Sequence, residues 1–244
     1  MALQLLRAST QRVNLIANID TFQNQTEGTL CCWVNVIDRS IEEHVVAFST
    51  GTSDTSARMY LTLNTSGGVG TMRFQATSRR LDADGPQAIV DPNNSAFGVW
   101  HHVAQVCNWS GQSQVLYVDG VSVASAAPAG WTGATSNTAS RQASINGLAN
   151  GGGNFGNFTI QDVRSYRRAL TAQEIAHMYR AKGGDRIRRS IYNRWTLDNG
   201  IIGATAGGGS VRDYGPAART ADGVNNPTWA GALLRKSPAH NGSR

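Results

Sequence analysis

Two stretches of the sequence decide the fold. Residues 99–120 read VWHHVAQVCNWSGQSQVLYVDG, and residues 158–179 read FTIQDVRSYRRALTAQEIAHMY. In the first stretch, Asp119-Gly120 stands between two β-rich runs and predicts a tight hairpin. Both residues of such a turn must adopt positive φ, which Asp-Gly tolerates. In the second stretch, Thr171 and Glu174 have the spacing of a capping box, which predicts that a helix starts there.

Strand patterns fill much of the remaining chain. Residues 29–37 form a nearly continuous apolar run, which is typical of a strand buried on both faces. Residues 59–63 and 72–76 alternate apolar with polar side chains, so each of these predicted strands has one face in the core. Gly183-Gly184 predicts the end of one short helix in the C-terminal half. The sequence therefore predicts an all-β fold of antiparallel strands with a single helix.

The two quoted stretches resemble the laminin-G-like members of the concanavalin A-like lectin/glucanase superfamily. The usual order in this family is a W-HHVA strand, an LYVDG hairpin and a segment of the form F-x-I-x-DVR-x-Y-x-RAL, which residues 100–170 follow. The resemblance implies an antiparallel two-sheet jelly-roll sandwich, formed by residues 1–244 as a single domain. It leaves the activity open, because one fold serves many functions.

The order of the remaining family pieces implies a circularly permuted chain. Pieces that open the family's domain match residues 194–198, 212–216 and 227–229, whereas residues 2–15 match a strand that normally follows them. A permuted sandwich requires both chain ends to meet at one sheet edge. We expect residues 1–184 to form the main sandwich and residues 185–244 to complete a sheet, either in the same chain or in a neighbouring subunit.

Composition and charge bear on several function classes. The 244 residues carry a formal net charge of +6, but no stacking platform or groove-reading helix accompanies it, so nucleic acid is not an expected partner. No apolar run reaches the roughly 18 residues of a membrane span, so no membrane association is expected. The N-terminal residues lack the pattern of a signal peptide, which predicts synthesis in the cytoplasm without export. Cys31, Cys32 and Cys107 are expected to be reduced and buried.

Catalytic motifs are missing from the sequence. Glucanases of this fold carry an E-x-D-x-E strand, and retaining hydrolysis needs two carboxyls about 5 Å apart. No glutamate of this chain has an acidic residue two positions away; the glutamates are Glu27, Glu42, Glu43 and Glu174. The pair His101-His102 falls on the family's core strand and lacks metal-ligand spacing. We therefore expect a protein that is not an enzyme.

A carbohydrate-binding module, with or without calcium, is one interpretation of the chain. Trp109 and Trp131 stand in loop-like context and are candidates for a glycan platform, although they could equally cap the open ends of the sandwich. Asp82, Asp84 and Asp162 are candidate calcium ligands, because calcium prefers carboxylate oxygens. The alternatives are turn formation for Asp82 and Asp84, and a tie to neighbouring backbone for Asp162 in the DVR motif.

The chain also resembles the domains of this family that occur in tailed-phage structural proteins. This resemblance predicts a non-enzymatic virion protein made in the host cytoplasm, with capsid decoration as the first choice and a tail or fibre component as the second. The expected partners are the major capsid protein or other virion proteins, together with further copies of the chain. A basic segment is the candidate contact, with a solvated linker as its alternative. It comprises Arg180, Lys182, Arg186, Arg188, Arg189 and Arg194.

Overall fold

The computed structural model consists of two packed β-sheets and one α-helix. It describes residues 1–15, 20–40, 42–49, 57–64, 70–81, 83–137, 142–147, 153–209, 211–216 and 218–231. The strands are β1 (Ala2–Leu5), β2 (Arg12–Asn14), β3 (Glu27–Asp38), β4 (Glu43–Ser49), β5 (Ala57–Asn64), β6 (Thr71–Ser78), β7 (Gln87–Val90), β8 (Ser95–Ala96), β9 (Trp100–Asn108), β10 (Ser113–Val118), β11 (Val121–Ala126), β12 (Gln142–Ile145), β13 (Asn157–Tyr166), β14 (Ile191–Trp195), β15 (Asp222–Val224) and β16 (Thr228–Ala230). The helix is α1 (Ala172–Ala181).

Each sheet contains eight strands, and every pairing within them is antiparallel. The first sheet has the order β11-β10-β9-β3-β13-β1-β16, and β14 also pairs with β13. The second sheet has the order β15-β2-β12-β4-β5-β6-β7, and β8 also pairs with β6. The predicted all-β jelly-roll sandwich with one helix is confirmed.

The core lies between the sheets and follows the predicted alternation. Leu61 and Leu63 of β5 and Phe74 of β6 face it and are buried. The adjacent Cys31 and Cys32 point to opposite faces of β3: Cys32 enters this core, and Cys31 joins a second apolar cluster beneath α1. All three cysteines are free and buried, as predicted.

The hairpin and the helix form where the sequence predicts them. Asp119 and Gly120 have φ angles of 52° and 81°. The Thr171 hydroxyl accepts the N–H of Glu174 at 3.2 Å, and the Glu174 carboxylate accepts the N–H of Thr171 at 2.9 Å. The helix ends at Ala181, two residues before the predicted glycine pair begins, because Lys182 adopts the left-handed conformation and donates its N–H to the Met178 carbonyl. Within the described residues, no helix has the length and the apolar composition that a membrane span needs.

The C-terminal segment pairs with strands of its own chain. β14 lies on β13, β15 on β2 and β16 on β1, and Ala2 stands opposite Ala230. The two ends of the sandwich sequence thus meet at an edge of the first sheet, which is the contact that a permuted chain requires. Trp195 and Trp229 carry this segment into the common core. Exchange of the segment with a neighbouring subunit stays a prediction.

Candidate functional site

Four ionised side chains form a buried cluster on the outer face of the first sheet. Arg164 of β13 binds Asp185 with two hydrogen bonds of 2.7 and 2.9 Å and also contacts Asp162. Arg194 of β14 donates from Nε to Asp162 at 2.9 Å. Each of the four residues is at most 7% exposed. The cluster joins β13, β14 and the segment that follows α1.

Asp162 reaches both arginines because it forms a β-bulge in β13. Its φ is 50°, and its displaced N–H bonds the Thr196 carbonyl at 3.1 Å. Burial raises the pKa of Asp162, but Arg164 and Arg194 outweigh burial and lower this pKa to about 2. Both carboxylate oxygens are engaged by guanidinium groups. The prediction of Asp162 as a calcium ligand is therefore wrong, and its alternative role as a structural tie describes it better.

The other two predicted calcium ligands give no metal site in the described structure. Asp84 accepts the backbone N–H of Leu81 at 2.9 Å and pairs with Arg80 at 3.4 Å, which is the geometry of a turn residue. Asp82 lies outside the described residues. Across the described ranges, no group of three or more His, Cys, Asp or Glu side chains is placed to hold a metal ion.

The predicted glycan platform is wrong. Trp109 is 0% exposed and Trp131 is 2% exposed, and their rings contact each other with centroids 6.5 Å apart. Phe22 packs against Trp109 at 6.3 Å, so the indoles close the end of the core. A large apolar ring at the open end of a sandwich is stabilised most by burial, which leaves no face for a sugar.

Of the six residues in the predicted basic contact segment, one is buried and five are exposed. Arg194 is 7% exposed and belongs to the buried ion cluster, so its assignment as a partner contact is wrong. The other five side chains are exposed on α1 and in the segment after it; they are Arg180, Lys182, Arg186, Arg188 and Arg189. A basic surface thus remains, and its partner stays a prediction.

Two carboxylates, Asp38 and Glu43, approach each other at one end of the sandwich. Arg7 stands between them: its Nη2 lies 2.7 Å from Asp38 and 2.5 Å from Glu43. Burial raises the pKa of Glu43, whereas hydrogen bonds from Asn157 and Arg7 outweigh burial and lower the pKa of Asp38. Because the guanidinium fills the space that a glycosidic bond would need, this pair forms an ion clamp between β3 and β4.

A cleft of about 450 Å³ opens in the C-terminal segment. Its volume falls in the range of small-ligand sites, about 300–1,000 Å³. Trp229 is one of the lining residues, but it is 4% exposed and belongs to the core. Gly200 lies directly on this indole, since a Cβ at that position would stand 2.1 Å from the ring. The lining comprises Asn199, Gly200, Gly209, Arg212, Asp213, Ala218, Thr220 and Trp229.

Backbone hydrogen bonds fix both walls of the cleft. On one wall, the N–H of Gly203 bonds the Trp229 carbonyl at 2.8 Å, and the N–H of Trp229 bonds the Ala204 carbonyl at 3.0 Å. On the other wall, Val211 and Ala221 exchange two bonds of 3.2 and 2.8 Å. The cleft is thus preformed by its own backbone, although its residues lie outside long strands.

Polar side chains surround the mouth of the cleft. Asn199, Arg212 and Thr220 are exposed there. Asp213 is 2% exposed, and its carboxylate accepts hydrogen bonds from the Asn193 side chain and from the backbone N–H groups of Arg194 and Gly215. Asp213 therefore holds the wall in place, while the three exposed side chains offer donors and acceptors to a ligand.

Sequence reasoning missed this cleft. It placed residues 212–216 and 227–229 among the family's strand pieces and assigned them no ligand. The local signal was weak: a single tryptophan in a segment rich in glycine. Trp229, Gly200 and Arg212 come together only through the pairing of β16 with β1 and the bridge between Val211 and Ala221, which sequence spacing does not reveal.

Solved structures of carbohydrate-binding proteins resemble this fold. A Bacteroides ovatus protein assigned as carbohydrate-binding superposes with a TM-score of 0.62 at 15% identity, covering 96% of this chain. The chain spans 61% of the length of that protein. The CBM40 module of the Ruminococcus gnavus IT-sialidase superposes with a TM-score of 0.55 at 16% identity, covering 69% of this chain and 91% of the module. Its complex with α2,3-sialyllactose gives 0.54 at 15% identity, with the same coverage. At these identities the similarity establishes the fold.

Sequence comparison establishes the family. No curated protein matches the chain. The model of the laminin-G-like family Laminin_G_3, described as concanavalin A-like lectin/glucanases superfamily, matches residues 7–176. This range is more than half of the chain and contains the first stretch that decides the fold together with residues 158–176 of the second. The chain therefore belongs to the concanavalin A-like lectin/glucanase superfamily.

Proposed function

We propose that the chain is a non-catalytic carbohydrate-binding domain that holds a glycan in the cleft of the C-terminal segment. The cleft is the observation that carries the proposal, because exposed amide, hydroxyl and guanidinium groups surround a preformed cavity of small-ligand size. Sugars present apolar C–H faces and many hydroxyls, and sites for such ligands combine apolar lining with a few placed polar groups. Similar folds in carbohydrate-binding proteins support the same conclusion.

The carboxylates near the cleft favour binding over hydrolysis. Hydrolysis of a glycosidic bond requires two carboxyl groups on either side of it. Asp213 is the lining residue that carries a carboxylate, and its oxygens are already engaged by Asn193, Arg194 and Gly215. A carboxylate used in this way keeps the wall rigid and is not placed to transfer a proton.

A glycan array followed by calorimetry tests the proposal. We expect the chain to bind at least one glycan class, and Thr220→Trp to abolish that binding because the new indole fills the mouth of the cleft. Ser122→Trp, on exposed β11, is the matched control and should bind normally. Far-ultraviolet circular dichroism checks that both variants fold.

Either of two results would contradict this assignment. One is an array that shows no binding to any glycan, with and without calcium. The other is a Thr220→Trp variant that folds and binds as tightly as the unaltered chain, which would move the glycan site elsewhere on the sandwich. Asn199→Ala gives a milder check, since it removes one amide from the rim and should weaken binding without filling the cleft.

The virion assignment stays a prediction, and the similar structures do not support it. Its support is a basic surface of five exposed side chains on and after α1. Quantifying the chain by mass spectrometry in purified particles checks this prediction. A fixed stoichiometry relative to the shell protein is expected for a decoration protein, and absence from particles would exclude that role.

A further inference from the structure

We propose that the ligand of the cleft is an anionic glycan whose carboxylate or sulfate group binds Arg212. This inference rests on the proposed function and adds the class of ligand. It uses residues outside the range that the family model matches, so it concerns a site built by the C-terminal segment of this chain.

Arg212 is exposed at the cleft and held by its surroundings. Its guanidinium lies over the Tyr214 ring, 5.1 Å from the ring centroid. A guanidinium that stacks on an aromatic face keeps its N–H groups free to point sideways toward a ligand. Among the described residues, no carboxylate forms an ion pair with it. Arg212 therefore presents a positive charge that the fold does not neutralise.

The backbone on each side of Arg212 is fixed. Val211 pairs with Ala221, and Asp213 pairs with Trp195 as an isolated bridge. The Asp213 carboxylate also accepts the N–H of Arg194 at 2.7 Å, and the N–H of Tyr214 bonds the Arg194 carbonyl at 2.7 Å. Because this backbone is already ordered, ligand binding costs less conformational entropy here than it would on a flexible loop.

The other charges close to the cleft are already used within the protein. Asp213 is buried with three hydrogen bonds, and Asp222 accepts the N–H of Gly209 at 2.5 Å. Arg219 pairs with Asp20 at 2.5 Å. Among the described lining residues, Arg212 carries the positive charge, so the cleft binds an anionic group more strongly than a neutral one.

The chemistry of the guanidinium selects planar or tetrahedral oxyanions. Its parallel N–H groups bind two oxygens of one carboxylate or sulfate, and such bonds are about twice as strong as those between neutral groups. Thr220 is exposed beside it and can contact the sugar hydroxyls. The anionic group thus supplies the orientation, and the rest of the cleft supplies the fit to a sugar.

Calorimetry with matched glycan pairs tests this inference. The probes are trigalacturonic acid with its methyl ester, sialyllactose with lactose, and a sulfated disaccharide with its desulfated form. We expect at least one anionic member to bind at least about tenfold more tightly than its neutral counterpart. The pairs also distinguish a carboxylate from a sulfate as the bound group.

Variants of the arginine separate the site from general charge attraction. Arg212→Gln should remove the preference for the anionic member, and Arg212→Lys should restore part of it, because lysine keeps the charge but not the paired N–H groups. Arg186→Gln lowers the net charge equally at an exposed residue after α1 and should bind as the unaltered chain does.

Three outcomes overturn the inference, and they differ in what they say of the proposed function. Equal binding of neutral and anionic members overturns the anionic preference and leaves carbohydrate binding intact. An anionic preference that survives Arg212→Gln in a folded variant overturns the role of Arg212. Failure of every glycan to bind overturns the inference and the proposed function together.

Discussion

Asp162 combines a left-handed backbone inside a strand with a carboxylate bound to two arginines. A non-glycine residue at positive φ costs roughly 1–3 kcal/mol and persists only where its surroundings compensate. Here the compensation is visible: the displaced N–H bonds Thr196, and the carboxylate ties Arg164 to Arg194. The residue therefore stabilises the join between the main sandwich and the C-terminal segment.

The buried ion cluster predicts a particular acid sensitivity. The pKa of Asp162 falls from 3.8 in the unfolded chain to about 2 in the folded protein. Such a group adds stability that is fully present above pH 4 and is lost as the pH falls through about 2. Burial lowers the pKa of His102 from 6.5 to about 4. The unfolded chain therefore takes up this proton first, and stability is also lost as the pH falls from about 6.5 to about 4. Urea unfolding from pH 7 to pH 2 measures both.

The variant Asp162→Asn tests whether the buried ion cluster causes the loss of stability near pH 2. Asparagine tolerates the left-handed backbone but removes the charge, so Arg194 loses its carboxylate and Arg164 keeps only Asp185. We expect a loss of about 3–5 kcal/mol at pH 7 and a flatter dependence of stability between pH 4 and pH 2. Asp84→Asn, which alters a more exposed ion pair, is the control and should cost less than about 1 kcal/mol. A neutral effect of Asp162→Asn would contradict the structural role.

Trp109 gives a second test at the residue scale. The Trp109→Ala variant should lose roughly 3–5 kcal/mol of stability, because the indole is fully buried against Trp131 and Phe22. Chemical denaturation measures this loss, and Asn108→Ala, beside it at the end of β9, is the milder comparison. A stable Trp109→Ala protein that had lost only glycan binding would restore the platform interpretation.

The capping box of α1 sets the prediction at the scale of an element. Thr171→Ala removes the hydroxyl that accepts the Glu174 N–H, so one helix donor loses its partner. We expect a loss of about 1 kcal/mol in the free energy of unfolding, measured by denaturant titration. Thr171→Ser keeps the hydroxyl and should stay within a few tenths of the original stability. Equal losses in both variants would show that the cap is not the cause.

Short-range patterns made the elements predictable, whereas the cleft depends on distant pairings. The turn at Asp119-Gly120 and the cap at Thr171 depend on residues at most three positions apart, so the sequence contains the whole signal. Whether Arg194 or Trp109 is exposed or buried depends on contacts with side chains that are distant in the sequence. Arg194 looks like part of a basic run in sequence, yet Asp162 lies 32 positions earlier and removes it from the surface. Arg212 and Trp229 line one cleft for the same reason.

At the scale of the whole molecule, the three cysteines report on global unfolding. Burial raises the pKa of Cys31 and of Cys107 to about 12 and raises that of Cys32 as well. Because only the thiolate reacts readily, we expect no fast reaction with a disulfide reagent in the native protein and three reacting thiols per chain in denaturant. Rapid labelling under native conditions would contradict the burial of these residues.

The antiparallel contact of β1 with β16 determines how the molecule bears tension. Ala2 and Ala230 face each other at the same end of this strand pair, so a force that pulls the chain ends apart acts on one rung at a time. Strands loaded in this way open like a zipper, whereas strands loaded along their length must break all their hydrogen bonds together. After β16 detaches, Trp229 leaves the core and the cleft loses this lining residue while the main sandwich is still closed. The cleft is thus the first part of the molecule to open under load.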